Sequence, residues 1–255
     1  MNPTCTWTLY EPPSGWTSAR TDAFAIRNNG SIVVGRCTNN SGTYRAMRWV
    51  PSTPTTDLQT LNFPDNPSYF SEAYGINKDG YVVGRANFPG GGSLFHAFRC
   101  LPGGLISDRN TPANDLGTIG TGQTSTAYAI NDFRQIVGET KIDSQYPYNH
   151  AFIKTPDSNT GQGFTDLGAL LTGYAASAAH SINNFGQVVG SASVTSYTGF
   201  IWQDDLGMKR LQDLLPSGSQ WTITGAEAIN DQGVIVGWGY PCPTCTYAHA
   251  YMMTP

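Results

Sequence analysis

One short segment is repeated five times along this chain, and this repeat constrains the fold more than any other feature. The copies read AFAIRNNGSIVVG at 23–35, AYGINKDGYVVG at 73–84, AYAINDFRQIVG at 127–138, AHSINNFGQVVG at 179–190 and AEAINDQGVIVG at 226–237. Each copy predicts two short strands joined by a tight turn, because turn-forming residues separate an apolar run ending in Ile from a second run rich in Val and Ile. A repeat of this kind is typical of stacked or ring-shaped folds.

Two further strands are predicted after each hairpin. The third strand is predicted at YRAMRW (44–49), FHAFRC (95–100), NHAFIK (149–154), YTGFIW (197–202) and AHAYMM (248–253). The fourth strand is predicted at TDLQTL (56–61), NDLGTI (114–119), TDLGAL (165–170) and LQDLL (211–215). Four strands in each of five units predict an all-β fold, a five-bladed β-propeller of four-stranded blades.

The two ends of the chain complete one unit. The fifth unit ends after its third strand, whereas residues 5–12 precede the first hairpin and have no unit of their own. We therefore expect residues 5–12 to supply the fourth strand of the last blade, which closes the ring and removes two free sheet edges. An open β-solenoid is the alternative architecture. The prediction is a single domain over 1–255, with repeats near 23–61, 73–119, 127–170, 179–215 and 226–255 plus 5–12.

The third strand carries a recurrent triplet, His96-Ala97-Phe98 and His150-Ala151-Phe152. This triplet resembles the repeat of the bacterial HAF-repeat family, and the resemblance covers nearly the whole chain. It implies an extracellular or envelope-associated repeat protein and implies no catalytic residues. The chain departs from the pattern where Arg45 and Thr198 replace the histidine and where Arg134 replaces the turn glycine.

Composition narrows the possible functions. Charged residues make up 13% of the chain and its net charge is −4, so we expect no nucleic acid partner. No apolar run reaches the roughly 18 residues of a membrane-spanning helix. Residues 1–5 lack the features of a secretory signal, yet the low Lys content and many Thr, Ser and Asn residues favour an exported protein. We expect an extracellular or cell-envelope monomer without a cofactor.

Five cysteines are present, and Cys242 and Cys245 are the only close pair. These two residues could form a local disulfide or remain free thiols. With His249, and with Cys5 across the ring closure, they could instead bind zinc. A second Cys-x-x-Cys is missing, which favours a disulfide or free thiols over a zinc site. We therefore predict no metal site.

Three histidines, His96, His150 and His249, occupy one position of the repeat. A histidine that recurs with the repeat indicates a structural role, because a partly buried polar group needs a hydrogen-bond partner. The expected partners are the acids of the fourth strands, Asp57, Asp115, Asp166 and Asp213.

Positions that keep the repeat but change their side chain are the candidate functional residues. Two residues before the first-strand isoleucine, the series is Phe24, Tyr74, Tyr128, His180 and Glu227. The first strand is innermost in a propeller, so we expect these side chains to lie together near the axis. His180 and Glu227 form a candidate acid–base pair with Tyr128 beside them, and the rings could stack on a sugar. The alternative is that all five residues pack between blades.

A second variable series directly follows the glycine of the second strand: Arg36, Arg85, Glu139, Ser191 and Trp238. Arg36 and Arg85 on adjacent blades suggest a site for a carboxylate or a sulfate, because guanidinium groups match the geometry of those anions. Solvated surface arginines are the alternative. Trp238 adds an aromatic ring to this candidate site.

Three functions remain open. The first is a secreted, lectin-like propeller that binds a saccharide or another small molecule. The second is a glycoside hydrolase or lyase acting on an anionic saccharide in the central funnel, although hydrolysis normally needs two carboxylates and this series provides only Glu227. The third is a protein-interaction scaffold, with loops 86–95 and 139–149 as the contact surface.

Overall fold

The chain folds into antiparallel β-sheets with almost no helix, as the sequence predicts. The computed structural model describes residues 9–16, 20–51, 53–58, 69–88, 92, 94–107, 114–143, 148–156, 162–170, 175–193 and 196–255. Within those ranges the helical structure is one 3-10 turn at Leu211–Leu214. No described helix is therefore long enough to cross a bilayer.

The strands form five sheets, numbered here in chain order. Sheet 1 contains β1 (Thr21–Ile26), β2 (Val33–Thr38), β3 (Tyr44–Trp49) and β4 (Thr56–Asp57). Sheet 2 contains β5 (Ser71–Ile76), β6 (Val82–Asn87), β7 (Phe95–Cys100) and β8 (Asp115–Gly117). Sheet 3 contains β9 (Ser125–Ile130), β10 (Ile136–Lys141), β11 (Asn149–Lys154) and β12 (Phe164–Gly168).

Sheets 4 and 5 continue the pattern. Sheet 4 contains β13 (Ala176–Ile182), β14 (Val188–Ser193), β15 (Tyr197–Gln203) and β16 (Gly207–Arg210). Sheet 5 contains β17 (Thr222–Ile229), β18 (Ile235–Tyr240) and β19 (His249–Met253), and it has three strands among the described residues. In every sheet the strands lie side by side in the order in which the chain makes them.

One asparagine holds the turn between the first two strands of a sheet. In sheet 2, Oδ1 of Asn77 accepts hydrogen bonds from two backbone amides of its own turn, at 3.1 and 3.0 Å. Its Nδ2 donates to the carbonyl oxygen of Asn131 in sheet 3 at 3.1 Å. Asn131 donates in the same way to Asn183, and Asn183 to Asn230. Both ends of the amide are used in sheets 2, 3 and 4, so each of these three turns is bonded to the turn of the following sheet.

A β-bulge interrupts the first strand of every sheet at the same position. In sheet 2, Ala73 pairs with Gly84 and Gly75 pairs with Val83, so Tyr74 has no partner opposite it. Glycine is required at 84 because a Cβ there would lie 1.9 Å from the carbonyl oxygen of Glu72. The extra residue of a β-bulge breaks the alternation of side chains between the two faces of the sheet, so its side chain points in a different direction from those of its neighbours. The bulged residues of the five sheets are Phe24, Tyr74, Tyr128, His180 and Glu227.

The apolar core is divided among the junctions between neighbouring sheets. Leu58, directly after β4, packs in one buried cluster with Phe98 of β7. Leu116 of β8 packs with Phe152 of β11 in the next junction. The same contact is made by Leu167 with Phe200 and by Leu211 with Tyr251. A leucine at the outer edge of each of sheets 1 to 4 thus covers the third strand of the following sheet.

The described N-terminal residues cover the third strand of sheet 1. Tyr10 and Trp16 pack against a buried cluster that contains Met47 and Trp49. The Trp49 Nε1 donates a hydrogen bond to the carbonyl oxygen of Glu11 at 3.2 Å. Of the predicted closing strand, residues 5–8 lie outside the described residues, and residues 9–12 are not part of a strand.

Sheets 1 and 5 expose positions that the inner sheets bury. The Ile26 residue of β1 is 59% exposed, whereas its counterpart in sheet 3, Ile130, is 8% exposed. Val236 of β18 is 41% exposed, whereas Val137 at the same position of sheet 3 is fully buried. Sheets 1 and 5 therefore each have an apolar face that, among the described residues, is less covered than the corresponding faces of the inner sheets.

Candidate functional site

The five bulged residues form one continuous surface across the inner strands, called here the bulge wall. The ring centroids of Phe24 and Tyr74 lie 5.5 Å apart, and those of Tyr74 and Tyr128 lie 5.6 Å apart. Tyr128 meets the ring of His180 edge-on at 6.0 Å, and His180 Nδ1 lies 3.7 Å from Glu227 Oε2. The bulges thus bring together, on consecutive sheets, the residues of the first variable series.

An ion-pair cluster supports the wall at sheets 1 and 2. The carboxylate of Glu72 in β5 is 3% exposed and lies 2.5 Å from Arg36 Nη1 and 2.5 Å from Arg85 Nη2. The Tyr74 hydroxyl donates to the same carboxylate at 2.7 Å. Arg36 Nε also donates to Asp22 at 2.9 Å. Every charged group of this cluster therefore has an opposite charge in contact.

The cluster fixes the protonation states of its members. Burial alone raises the pKa of Glu72, but the hydrogen bond from Tyr74 and the two guanidinium groups outweigh it, so the pKa is lower than usual. Burial raises the pKa of Tyr74 well above its usual value. Arg36 and Arg85 are adjacent, as the sequence predicts, but both bind Glu72. An anionic ligand would have to compete with this buried carboxylate.

Sheet 3 contributes a second tyrosine and carboxylate pair. The Tyr128 hydroxyl donates to Glu139 Oε1 at 2.9 Å. Burial, followed by the charge of Glu139, raises the pKa of Tyr128 far above its usual value. Tyr128 is therefore a neutral hydrogen-bond donor at physiological pH, and it is not suited to act as a base.

Sheets 4 and 5 contribute the most exposed carboxylate of the wall, that of Glu227, and the imidazole of His180 beside it. The His180 Nδ1–H donates to the carbonyl oxygen of Ala226 at 2.9 Å. This bond selects the tautomer in which Nε2 of the neutral ring is an acceptor. The Glu227 side chain is 55% exposed, and its Oε1 accepts a hydrogen bond from Trp238 Nε1 at 3.2 Å. A ligand at this end would meet an imidazole nitrogen and a carboxylate.

The wall is negatively charged. Four carboxylates belong to it or touch it, those of Asp22, Glu72, Glu139 and Glu227, against the three guanidinium groups of Arg20, Arg36 and Arg85. Asp22 and Glu72 are not among the candidates predicted from the sequence, and Glu139 belongs to the second variable series without an assigned role. Asp22 and Glu72 each lie two residues before a bulged residue on the same strand, but the other three sheets have uncharged residues at that position, so the repeat does not mark it.

The recurrent histidines lie outside the wall. His96 Nδ1 is 2.9 Å from Asp115, and His150 Nδ1 is 3.0 Å from Asp166. Arg45 takes the same place in sheet 1, where it pairs with Asp57 at 3.2 Å. These contacts are the ones expected from the repeat, and they tie the third strand of a sheet to its fourth.

Sheet 4 does not follow this prediction. The register of β15 and β16 places Arg210 opposite Phe200, at the position where the other sheets have the acid. The nominated acid, Asp213, lies in the 3-10 turn and pairs with Arg210 at 3.0 Å. The expected role of Asp213 is therefore wrong. Thr198 and Arg210 line a cavity of about 390 Å³ at the junction with sheet 5.

The cysteines form no zinc site of the kind considered. Cys242 and Cys245 are joined by a disulfide, so both sulfurs are used. Cys37 and Cys100 are buried and are not part of a disulfide, and Cys5 lies outside the described residues. Burial, with a smaller effect of the Asp57 charge, raises the pKa of the Cys37 thiol to about 11, which makes it unreactive in the folded protein.

Two comparisons relate this chain to known proteins. The model of a family described as "Protein of unknown function (DUF3466)" matches residues 64–242. A chain from a structural and mechanistic analysis of two prolyl endopeptidases aligns with a TM-score of 0.59 and 12% identity. The alignment covers 95% of this chain and 35% of that chain, so this chain spans about a third of that chain's length. At this identity the likeness concerns the fold alone. No curated protein matches the sequence.

Proposed function

We propose that this chain, which belongs to the DUF3466 family of proteins of unknown function, is a secreted carbohydrate-binding propeller whose ligand site is the bulge wall. One observation carries the proposal. Each bulged residue is flanked by an alanine before it and an isoleucine two residues after it in all five sheets, yet the bulged residue itself changes from Phe to Tyr, His and Glu. The fold needs the bulge but does not need that variation.

The proposal includes a closed ring of five blades, with residues 5–12 completing the last blade. Its support is the contact of Tyr10 with Met47 and Trp49, which matches the way Leu58 covers Phe98 at the next junction. The structure leaves Ile26 and Val236 exposed, and the proposed closure would cover these two apolar side chains. The wall then lies around the ring axis.

The wall has the two kinds of group that sugars require. The rings of Phe24, Tyr74 and Tyr128 stand side by side and can stack on the C–H face of a pyranose. His180 Nε2 and the exposed carboxylate of Glu227 can accept hydrogen bonds from sugar hydroxyls. A cleft with an apolar surface and a few polar groups that fix orientation is the usual design of a small-molecule site.

The charge of the wall favours a neutral saccharide. Arg36 and Arg85 are occupied by Glu72, and carboxylates outnumber guanidinium groups. A uronate or sulfate would meet net repulsion unless it displaced a buried ion pair. The proposed ligand therefore differs from the anionic saccharide that the arginine series alone suggests.

The disulfide supports an extracellular or envelope location. Disulfides such as Cys242–Cys245 form and persist in oxidising compartments and are rare in the cytosol. We therefore place the ligand among extracellular glycans.

A glycan array with neutral and uronate-bearing saccharides tests the proposal. The labelled protein is expected to bind a neutral glycan, and a His180→Ala/Glu227→Ala double variant is expected to lose that binding. A His150→Ala/Asp166→Ala double variant is the matched control, because it removes a similar pair outside the wall.

The outcomes separate the alternatives. Binding that survives in the wall variant would move the site elsewhere, with the cavity at Thr198 and Arg210 as the next candidate. A protein that binds no glycan would contradict the proposal and favour a protein-interaction scaffold.

Hydrolysis of a glycan is a second candidate function, because the wall holds two carboxylates outside the buried cluster. His180 of sheet 4 lies between the sheets that carry Glu139 and Glu227. The test is to incubate the protein with each glycan that it binds and to measure new reducing ends. Release that disappears in both Glu139→Gln and Glu227→Gln would establish an enzyme. Binding without release would leave the lectin-like function.

A further inference from the structure

A second cavity lies on the turn side of the molecule, between sheets 3 and 4. It has a volume of about 540 Å³ and is separate from the bulge wall. Its aromatic lining is Phe185 and Trp202, and its charged lining is Asp204 and Asp205. The remaining lining side chains are neutral, so among the described residues the cavity has two carboxylates and no cation.

The fold does not require a large apolar side chain at the position of Phe185. It lies in the turn between β13 and β14 and is 72% exposed. The same turn position is Asn29, Asp79 and Gln232 in sheets 1, 2 and 5, so a polar residue satisfies the turn, and in sheet 3 it is Phe133, which is 63% exposed and does not line this cavity. A large exposed ring at the mouth of a cavity is a binding feature more often than a structural one.

Asp204 and Asp205 have no internal counter-ion. They lie in the tight turn between β15 and β16, where neither residue forms an ion pair with any described residue. Two unneutralised carboxylates beside aromatic rings create a negative potential, and both the ring faces and the carboxylates attract a cation.

The preceding junction supplies an internal example of what such a cavity binds. In sheet 3 the turn residue Arg134 adopts φ 65°, a left-handed conformation that favours glycine. Its guanidinium carbon lies 5.7 Å from the ring centroid of Tyr81 in sheet 2. Gly186 is the counterpart of Arg134 in sheet 4 and has no side chain to place there. The junction of sheets 2 and 3 is thus occupied by a guanidinium group of the chain itself, and the junction of sheets 3 and 4 is not.

We propose that the cavity between sheets 3 and 4 binds the guanidinium group of an arginine side chain presented by a partner peptide. The planar cation stacks on Phe185 or Trp202, and its N–H groups donate to Asp204 and Asp205. Guanidinium groups match this combination better than ammonium groups, because they both stack and form paired hydrogen bonds. The site is independent of the proposed saccharide site, so either can fail without the other.

The test uses the full chain and capped arginine, N-acetyl-arginine methylamide, as the probe. Amide shifts of Gly186 and Gln203 in ¹⁵N spectra report binding at the cavity, and calorimetry gives the affinity. The citrulline analogue has nearly the same shape without the charge and is expected to bind at least tenfold more weakly. Equal binding of the two probes would overturn the proposal. Free arginine carries a carboxylate and is expected to bind more weakly than the capped form; the reverse order would exclude a peptide as the source.

Two variants place the site. The Asp204→Asn/Asp205→Asn variant keeps residues that suit a turn and is expected to weaken capped-arginine binding at least fivefold. Phe185→Asn, which copies Asn29 of sheet 1, is expected to weaken it roughly threefold to tenfold. Phe133→Asn in the neighbouring turn is the matched control and should leave it unchanged. Unchanged affinity in both cavity variants would overturn the proposal.

A third variant fills the cavity from within. Gly186→Arg copies the arrangement of Arg134, and a Cβ at 186 meets only the Gln135 side chain, at 3.8 Å. If it folds, as judged by circular dichroism and a cooperative melt, it is expected to abolish probe binding. A folded Gly186→Arg protein that binds the probe as well as the wild type would contradict the assigned position. If it does not fold, the aspartate and phenylalanine variants decide the question.

Discussion

The two halves of the bulge wall use the same repeat positions for different purposes. At sheets 1 and 2, Tyr74 is bound to the buried Glu72, and two arginines neutralise that carboxylate. At sheets 4 and 5, the Glu227 side chain is 55% exposed, and the hydrogen-bond partners of His180 and Glu227 are a backbone carbonyl and an indole. The first half is a structural ion cluster, and the second half keeps polar groups available to a ligand.

This difference shows how a repeat protein can separate stability from recognition. The glycine and the bulge are required by the backbone in every sheet, since a Cβ at Gly84 or Gly138 would meet a carbonyl oxygen at 1.9 Å. The side chain at the bulge is not required by the backbone. Each sheet can therefore change its contribution to the wall without changing its fold.

The largest expected effect comes from Glu72→Gln. Removing the charge leaves Arg36 and Arg85 partly buried without their shared counter-ion, so we expect a loss of about 3 kcal/mol in the free energy of unfolding. Urea denaturation measures this loss. Glu227→Gln in the other half is the matched control and should cost less than about 0.5 kcal/mol, since its carboxylate is exposed. Equal losses in the two variants would contradict the division of the wall.

The same pair of variants separates the halves by pH. The pKa of Glu72 is lowered in the folded protein, so its stabilisation is present above its unfolded value of 4.5 and is lost as the pH falls through the lower folded value. The wild type and Glu227→Gln should both lose stability below pH 4.5, and Glu72→Gln should lose less. Thermal melts from pH 7 to pH 3 make the comparison.

His180→Ala should act mainly on the ligand. The variant loses one hydrogen bond to Ala226, which is worth about 1 kcal/mol of stability. It also removes the acceptor proposed to orient the sugar, so we expect the affinity for a bound glycan to fall about tenfold, which corresponds to about 1.4 kcal/mol. Calorimetric titration measures the affinity. Tyr74→Phe, in the structural half, should alter stability more than affinity, and the opposite result would reverse the assignment of the halves.

The pair of His150 and Asp166 provides a reference outside the wall. The hydrogen bond to Asp166 raises the pKa of His150 in spite of burial, so the stabilisation is present below the unfolded value of 6.5 and is lost as the pH rises through the folded value. We expect a melting temperature that falls slightly between pH 6 and pH 8 in the wild type. A His150→Gln variant should reduce this fall, whereas Glu72→Gln should leave it unchanged.

The smallest expected effect is that of Trp238→Phe. The indole N–H donates to the exposed Glu227, and its loss should change stability by less than about 0.5 kcal/mol. The glycan affinity should fall about threefold, because the carboxylate loses the group that orients it. An effect as large as that of His180→Ala would show that the indole itself contacts the sugar.

The repeat predicts the strands, the turns and the order of the sheets. The errors and omissions of the prediction lie where strand register decides the structure or where one sheet departs from the repeat. Five Asn-containing turns and runs of Val and Ile are enough to place the hairpins and the order of the sheets. The bulge could not be predicted, because it depends on strand register and its only trace is an obligatory glycine, which a tight turn also explains. The prediction for Asp213 is wrong because the short turn before β16 moves Arg210 into the place of the acid.

Glu72 escapes prediction for a different reason. The variable series lies two positions before each isoleucine, and the partner of the arginines lies two positions further upstream, where the five copies read Asp22, Glu72, Thr126, Ala178 and Gly225. Only two of these five residues are charged, so the position does not look like part of a pattern. Its importance appears only when sheets 1 and 2 are placed side by side.

The asparagine bonds that run from Asn77 to Asn131, Asn183 and Asn230 give the sheets a polarity. Sheets 2, 3 and 4 each donate to the following sheet, which is the head-to-tail relation of a heterologous interface. Such an interface either returns to its starting point or continues from one molecule to the next as a filament. In the closed ring proposed above, the faces at Ile26 and Val236 would meet. A variant in which they cannot meet within one molecule should therefore polymerise in a concentration-dependent way, with its individual sheets still folded.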